Sequence, residues 1–95
     1  MSLTDNRMRL VSALHLQVDP DGTANIVDDR TFVGAHVNIT ARILLEALRE
    51  PRTYDELQTV LMRAADCPKS ETVAPVARLV EELMEYGWIE SDEAP

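Results

Sequence analysis

The side chains able to do chemistry in this chain are few: His15, His36, Cys67 and a scatter of carboxylates. Catalysis by proton transfer or nucleophilic attack needs such groups gathered within hydrogen-bonding reach and tuned in pKa. No spacing here announces a triad, a dyad or a metal box. His15 and His36 can meet across neighbouring strands, but two imidazoles without a third ligand make a poor zinc site. Asp28 and Asp29 are adjacent, yet their loop lacks the alternating oxygen ligands and closing Glu of an EF-hand, and a turn is the better reading. Cys67 stands before Pro68 in a connector and reads as a loop thiol. Glu81, Glu82 and Glu85 read as the solvated side of a helix. No glycine-rich phosphate loop is present. The expectation is a protein with no metal, no cofactor and no catalytic centre, which acts by binding.

Charge and composition narrow what it binds. The 95 residues suffice for one core but not for a core plus a deep, walled active site. The 45% hydrophobic and 27% charged content fits a folded domain, and the formal charge of −8 repels a polyphosphate unless the arginines gather on one face. They do not gather: Arg7, Arg9, Arg30, Arg42, Arg49, Arg52, Arg63 and Arg78 are spread along the sequence. Nucleic acid is therefore excluded as the expected ligand. A single cysteine forms no intramolecular disulfide, and there is no basic-then-apolar leader and no run near the ~20 apolar residues of a membrane span. A cytoplasmic protein is the simplest reading.

The elements that must position any binding surface follow from periodicity. From Leu10 onward Leu14, Leu16 and Val18 alternate with His15 and Gln17, the period of a half-buried strand. "DPDG" at 19–22 turns the chain, "ANIV" at 24–27 returns it, "DDR" at 28–30 turns it again, and "TFVGAHV" at 31–37 is a third strand. After Asn38, an N-cap, the period becomes 3.6, with Ile39, Ile43, Leu44, Ala47 and Leu48 on one stripe of a helix that ends before Pro51. Thr53 and Glu56 have capping-box spacing and open a second helix that fades near Ala65. Pro75 favours Thr72 as the start of the third helix, because the ring then falls in the first turn. Val76, Leu79, Val80 and Leu83 share its apolar face, and Gly87 closes it. Residues 1–9 and 91–95 are expected to be loose.

The result is a single α+β domain over 1–95: a three-stranded antiparallel sheet followed by three α-helices. If the third strand lies at the sheet edge, its unpaired N–H and C=O groups can accept an extended peptide as an added strand, and the small Gly34 and Ala35 leave room for it.

Over roughly two thirds of its length the sequence resembles the PqqD-like family of peptide-recognition domains, the RiPP recognition elements. The resemblance rests on Asn38, Thr40 and Ala41 opening the first helix, on Arg52, Thr53, Glu56 and Leu57 opening the second, and on Leu83, Gly87 and Ile89 closing the third. It implies a winged helix-turn-helix-like fold and a non-enzymatic role: binding the leader segment of a ribosomally made precursor peptide and presenting it to a separate modifying enzyme or leader peptidase, as in lasso-peptide and related pathways. Carried over, the leader lies along the third strand at Phe32, Val33, Gly34, Ala35 and His36, against Val76, Arg78, Leu79, Val80 and Leu83 of the third helix. An open apolar groove of this kind also favours a homodimer. The rival reading is a winged-helix DNA-binding regulator, but the third helix sets Arg78 alone against Glu81, Glu82 and Glu85.

Overall fold

The computed structural model describes residues 7–91. Five strands and three helices follow one another as β1 (Met8–Leu10), β2 (Leu14–Val18), β3 (Ala24–Asp28), β4 (Gly34–Val37), α1 (Ile39–Ala47), α2 (Tyr54–Ala65), a 3₁₀ turn (Lys69–Glu71), α3 (Val73–Tyr86) and β5 (Ile89–Ser91). The expected three-stranded antiparallel sheet is present, in the order β2-β3-β4, and three helices cover one face of it.

The helices form where the capping chemistry places them. Asn38 Oδ1 accepts from the Ala41 amide at 2.8 Å and opens α1. At α2 the capping box is complete: the Glu56 amide donates to Thr53 Oγ1 at 3.1 Å and the Thr53 amide to Glu56 Oε1 at 2.9 Å. Thr72 begins α3 as expected, but not as a side-chain cap. Its hydroxyl instead donates back to the Lys69 carbonyl at 2.6 Å, which holds the 3₁₀ entry turn. Gly87, at φ +71°, ends α3, and the Trp88 amide reaching the Leu83 carbonyl at 2.9 Å is the six-to-one bond of a Schellman closure.

Two strands depart from expectation. The alternation that starts at Leu10 is not one strand: Leu10 belongs to β1, and residues 11–13 turn before β2 begins. Within the stretch 1–9 expected to be loose, Met8 and Arg9 are in β1, paired antiparallel with β5 as Met8↔Ser91, Arg9↔Glu90 and Leu10↔Ile89. β1 also exchanges two backbone bonds with Arg52, at 2.8 and 2.9 Å, which ties both ends of the described chain to the α1–α2 connection. Ser91, from the other such stretch, is in β5, Arg7 is exposed and outside any strand, and residues 1–6 and 92–95 lie outside those described. The second departure is the third strand, which is shorter than 31–37. Only Gly34–Val37 pair with β3 as a strand, while residues 29–33 form the hairpin loop.

The core is continuous from sheet to helices. Ile26 on the inner face of β3 joins Leu44, Leu45 and Leu48 of α1 and its end, Leu57 and Leu61 of α2, and Val76, Val80 and Leu83 of α3, with Met8 and Trp88 closing the side nearest β1 and β5. All but Met8, at 8% exposure, are at most 4% exposed.

Candidate functional site

The backbone of β4 carries the clearest binding feature. In an antiparallel ladder, opposed residues alternate between pairs that exchange hydrogen bonds and pairs that do not. The Asp28 amide donates to the Val33 carbonyl at 2.9 Å, in the same register as Ile26↔Ala35 and Ala24↔Val37. Ala35 and Val37 therefore bond to β3, and the N–H and C=O groups of Gly34 and His36 point away from the sheet. β4 is an edge of its sheet, so among the described residues no strand meets these two donors and two acceptors.

Beyond the C-terminal end of β4 lies a hollow of about 200 Å³ between the start of α1 and residues 75–82 of α3. Asn38, Thr40, Ala41 and Leu44 line one wall, and Pro75, Arg78, Leu79 and Glu82 line the other. The wall is apolar at its floor, where Leu44 is buried and Leu79 half-buried, and polar at its rim. Arg78 and Glu82 are both exposed, and neither has an ion-pair partner among the described residues. The rim is thus a cation and an anion one helical turn apart, free to pair with an incoming chain.

The residues expected at the site divide in three ways. Gly34, Ala35 and His36 are in β4, and Arg78 and Leu79 face the hollow. Val76, Val80 and Leu83 do not line any surface: they are 0%, 0% and 3% exposed and belong to the core beneath the groove. The His36 ring bonds through Nδ1 to Asn25 Oδ1 at 3.0 Å, on the opposite face of the sheet, so only its backbone serves the margin. Gly34 also has a different reason for being glycine. A Cβ there would stand 3.2 Å from the Ile26 carbonyl oxygen and 3.4 Å from Val27 Cγ2, so what Gly34 admits closely is β3, not a guest.

Phe32 is in the loop rather than in a strand. It has φ +60° and is 85% exposed, a conformation that is costly for an aromatic residue and that leaves most of it in solvent. Its amide donates to the Asp28 carbonyl at 2.7 Å, which holds it there. Val33 follows, also exposed.

A buried polar node, not foreseen from the sequence, ties the loop that carries Phe32 to the end of α3. Asp28, 1% exposed, takes a two-pronged bond from Arg30 Nε and Nη2 at 3.0 and 2.9 Å, a bond from the Arg30 amide at 2.9 Å and one from Trp88 Nε1 at 3.1 Å. Arg30 Nη2 also donates to the Gly87 carbonyl at 3.0 Å. The β3–β4 loop is thereby clipped to the end of α3, where Tyr86 stacks on Trp88 with ring centroids 4.5 Å apart. What reads in the sequence as an acidic turn is a structural clamp.

The side-chain bond from Arg30, more than any other contact, brings the Asp28 carboxyl down to about 2 from an ordinary 3.8, against the opposing push of burial. A carboxyl that is more acidic folded than unfolded favours the fold above its unfolded pKa, and that contribution disappears as pH falls through its folded pKa. The thermal midpoint of the wild type is therefore expected to fall between about pH 4 and about pH 2, with Asp28 among the causes. Asp28→Asn should start from a lower midpoint at neutral pH and show a shallower acid limb; thermal circular dichroism across that range measures both.

Neither protein-family models nor curated protein sequences match the chain. Two solved structures do. The chain shares its fold, a small sheet backed by three helices, with a RiPP recognition element and with a protein solved in complex with a leader peptide. The complex of TbiB1 with the TbiA(beta) leader peptide superposes with a TM-score of 0.74 at 10% identity, over 92% of this chain and 99% of that one. The PqqD truncation of Methylobacterium extorquens PqqCD, a functional and stand-alone RiPP recognition element, superposes with a TM-score of 0.73 at 14% identity, over 92% of each chain. At these identities the likeness is one of fold.

Among the described residues no three potential metal ligands come together, and no helix is long and apolar enough to cross a membrane.

Proposed function

We propose that this protein is a leader-peptide adaptor. It binds the leader of a ribosomally synthesised precursor as a strand added to β4, and it presents the precursor, in the cytoplasm, to a separate modifying enzyme or leader peptidase without catalysing a step itself. The observation that carries this reading is the open margin of β4, where the backbone groups of Gly34 and His36 point outward, with a hollow between α1 and α3 whose lining begins at Asn38, the residue after β4. The likeness in fold to TbiB1, solved with a leader peptide bound, supports it.

Magnitudes divide the labour between backbone and side chains. Four main-chain bonds at about 1 kcal/mol net each supply about 4 kcal/mol, roughly half of what a micromolar complex requires. The rest must come from leader side chains. In an added strand every second residue faces α3, so one apolar side chain can fill the hollow over Leu44 and Leu79 while a charged neighbour meets Arg78 or Glu82.

Phe32 extends the same margin at its other end. Replacing it with glycine removes the cost of φ > 0, so Phe32→Gly should hold or raise the thermal midpoint, by up to about 1 kcal/mol of stability, while weakening leader binding several-fold. Calorimetric titration beside a melting curve separates the two effects.

The direct test is a titration of the protein with a labelled leader, taken from a precursor encoded beside its gene, and with a labelled DNA duplex, each at two salt concentrations. Saturable leader binding that changes little with salt, without duplex binding, is expected. Salt-sensitive duplex binding and an indifferent leader would instead support a DNA-binding regulator.

A further inference from the structure

The opposite margin of the same sheet is also open, and its chemistry is different. The Asp29 amide donates to the Ala13 carbonyl at 3.0 Å and the Asp19 amide to the Thr23 carbonyl at 2.8 Å, both in the register of His15↔Val27 and Gln17↔Asn25. By ladder alternation the backbone groups of Leu14, Leu16 and Val18 therefore point outward. The Leu14 amide is taken by the Val11 carbonyl at 3.3 Å; among the described residues no strand meets the others. Beside them is a hollow of about 360 Å³ into which Leu10, Leu14, Leu16 and Arg49 face.

Natural edge strands are normally blunted by lysine, proline, a bulge or an inward charge. "LHLQV" has none of these. It is also self-complementary. Two β2 strands paired antiparallel about Leu16 set Leu16 against Leu16 and Leu14 against Val18, whose side chain is 45% exposed in the single chain. Charge selects the same partner. Arg49, exposed and without an ion-pair partner among the described residues, flanks the Leu14 end of the strand. The turn that follows Val18 carries Asp19 and the exposed Asp21. In the antiparallel pairing each Arg49 comes beside the other copy's aspartate turn, twice over by symmetry.

We infer that β2 is a self-association surface: two copies join through β2 into one continuous six-stranded sheet, leaving both β4 margins on the outside and free. The contact is short and each chain carries a charge of −8, so the dimer is concentration-dependent, forming at roughly 10 µM to 1 mM. It does not depend on what β4 binds.

Sedimentation velocity over that concentration range tests it with four variants. Arg49→Glu and Asp21→Arg should each weaken the dimer at least tenfold, because each places like charges opposite one another at both ends. An equimolar mixture of the two should restore it, since every Arg49-to-turn contact in the mixed dimer is again between opposite charges. Val18→Pro removes an outward amide without touching the β2–β3 ladder and should give a monomer with an unchanged circular dichroism spectrum. His36→Pro, on the other margin, should dimerise normally. A wild type monomeric throughout, a dimer indifferent to Arg49 and Val18, or one lost in His36→Pro alone would overturn the inference.

Discussion

His36→Pro should abolish leader binding, lowering affinity about 100-fold or more, while His36→Ala leaves it within about threefold. The contrast follows from where the two parts of the residue point. The imidazole is held by Asn25 on the far face of the sheet, so removing it takes nothing from the margin. The His36 amide faces outward, and proline deletes it and sets a ring where the added strand must approach. Because that amide makes no bond to β3, the fold should survive the change. Ala35→Pro and Val37→Pro are the internal controls: their amides pair with β3, and both should lower the thermal midpoint markedly. Isothermal titration of the four variants, each with its melting curve, checks the set. Binding by His36→Pro at wild-type affinity would show that the leader does not join the sheet at this strand.

A second pair of variants, one residue apart, should fail in opposite ways. Leu79→Glu places a carboxylate over the floor of the hollow beside Glu82, where Leu79 is half-buried and can direct the new charge to solvent. Leader affinity should fall at least 30-fold with a melting curve close to wild type. Val80→Glu buries the same group at a position with no exposure, which costs several kcal/mol and should unfold the domain. If both variants lose stability alike, Leu79 belongs to the core and the groove is not where the hollow lies.

That second pair also shows where local pattern stops being informative. The 3.6-residue stripe of α3 correctly marks an apolar face, but its centre is core. Val76, Val80 and Leu83, read from the sequence as groove residues, are the most buried of the stripe. A groove forms at the border of such a stripe, where Arg78, Leu79 and Glu82 sit, together with the first turn of α1, which contributes Thr40 and Ala41. The border is set by how two helices approach each other, and that approach is not encoded in either helix alone.

The helix ends were legible for the converse reason: Asn38, Thr53 with Glu56, and Gly87 act within a few residues of themselves. The β1–β5 ladder joins residues some 80 positions apart through three-residue strands too short to show a period, and it was not legible. Nor was the clamp of Asp28, Arg30 and Trp88, in which a turn-forming carboxylate finds its indole partner 60 residues away. Phe32 has the composition of a strand residue, yet the loop of the β3–β4 hairpin, residues 29–33, imposes φ +60° on it. In each case a partner distant in sequence decides what the local residues do.

Amide hydrogen exchange followed by NMR, with and without leader peptide, reads the margin residue by residue. In the free protein the Ala35 and Val37 amides should already exchange slowly and those of Gly34 and His36 fast. On leader binding Gly34 and His36 should become protected, with no change at Leu16 and Val18 on the other margin. Leader bound at saturation with Gly34 and His36 still exchanging freely would contradict strand addition to β4.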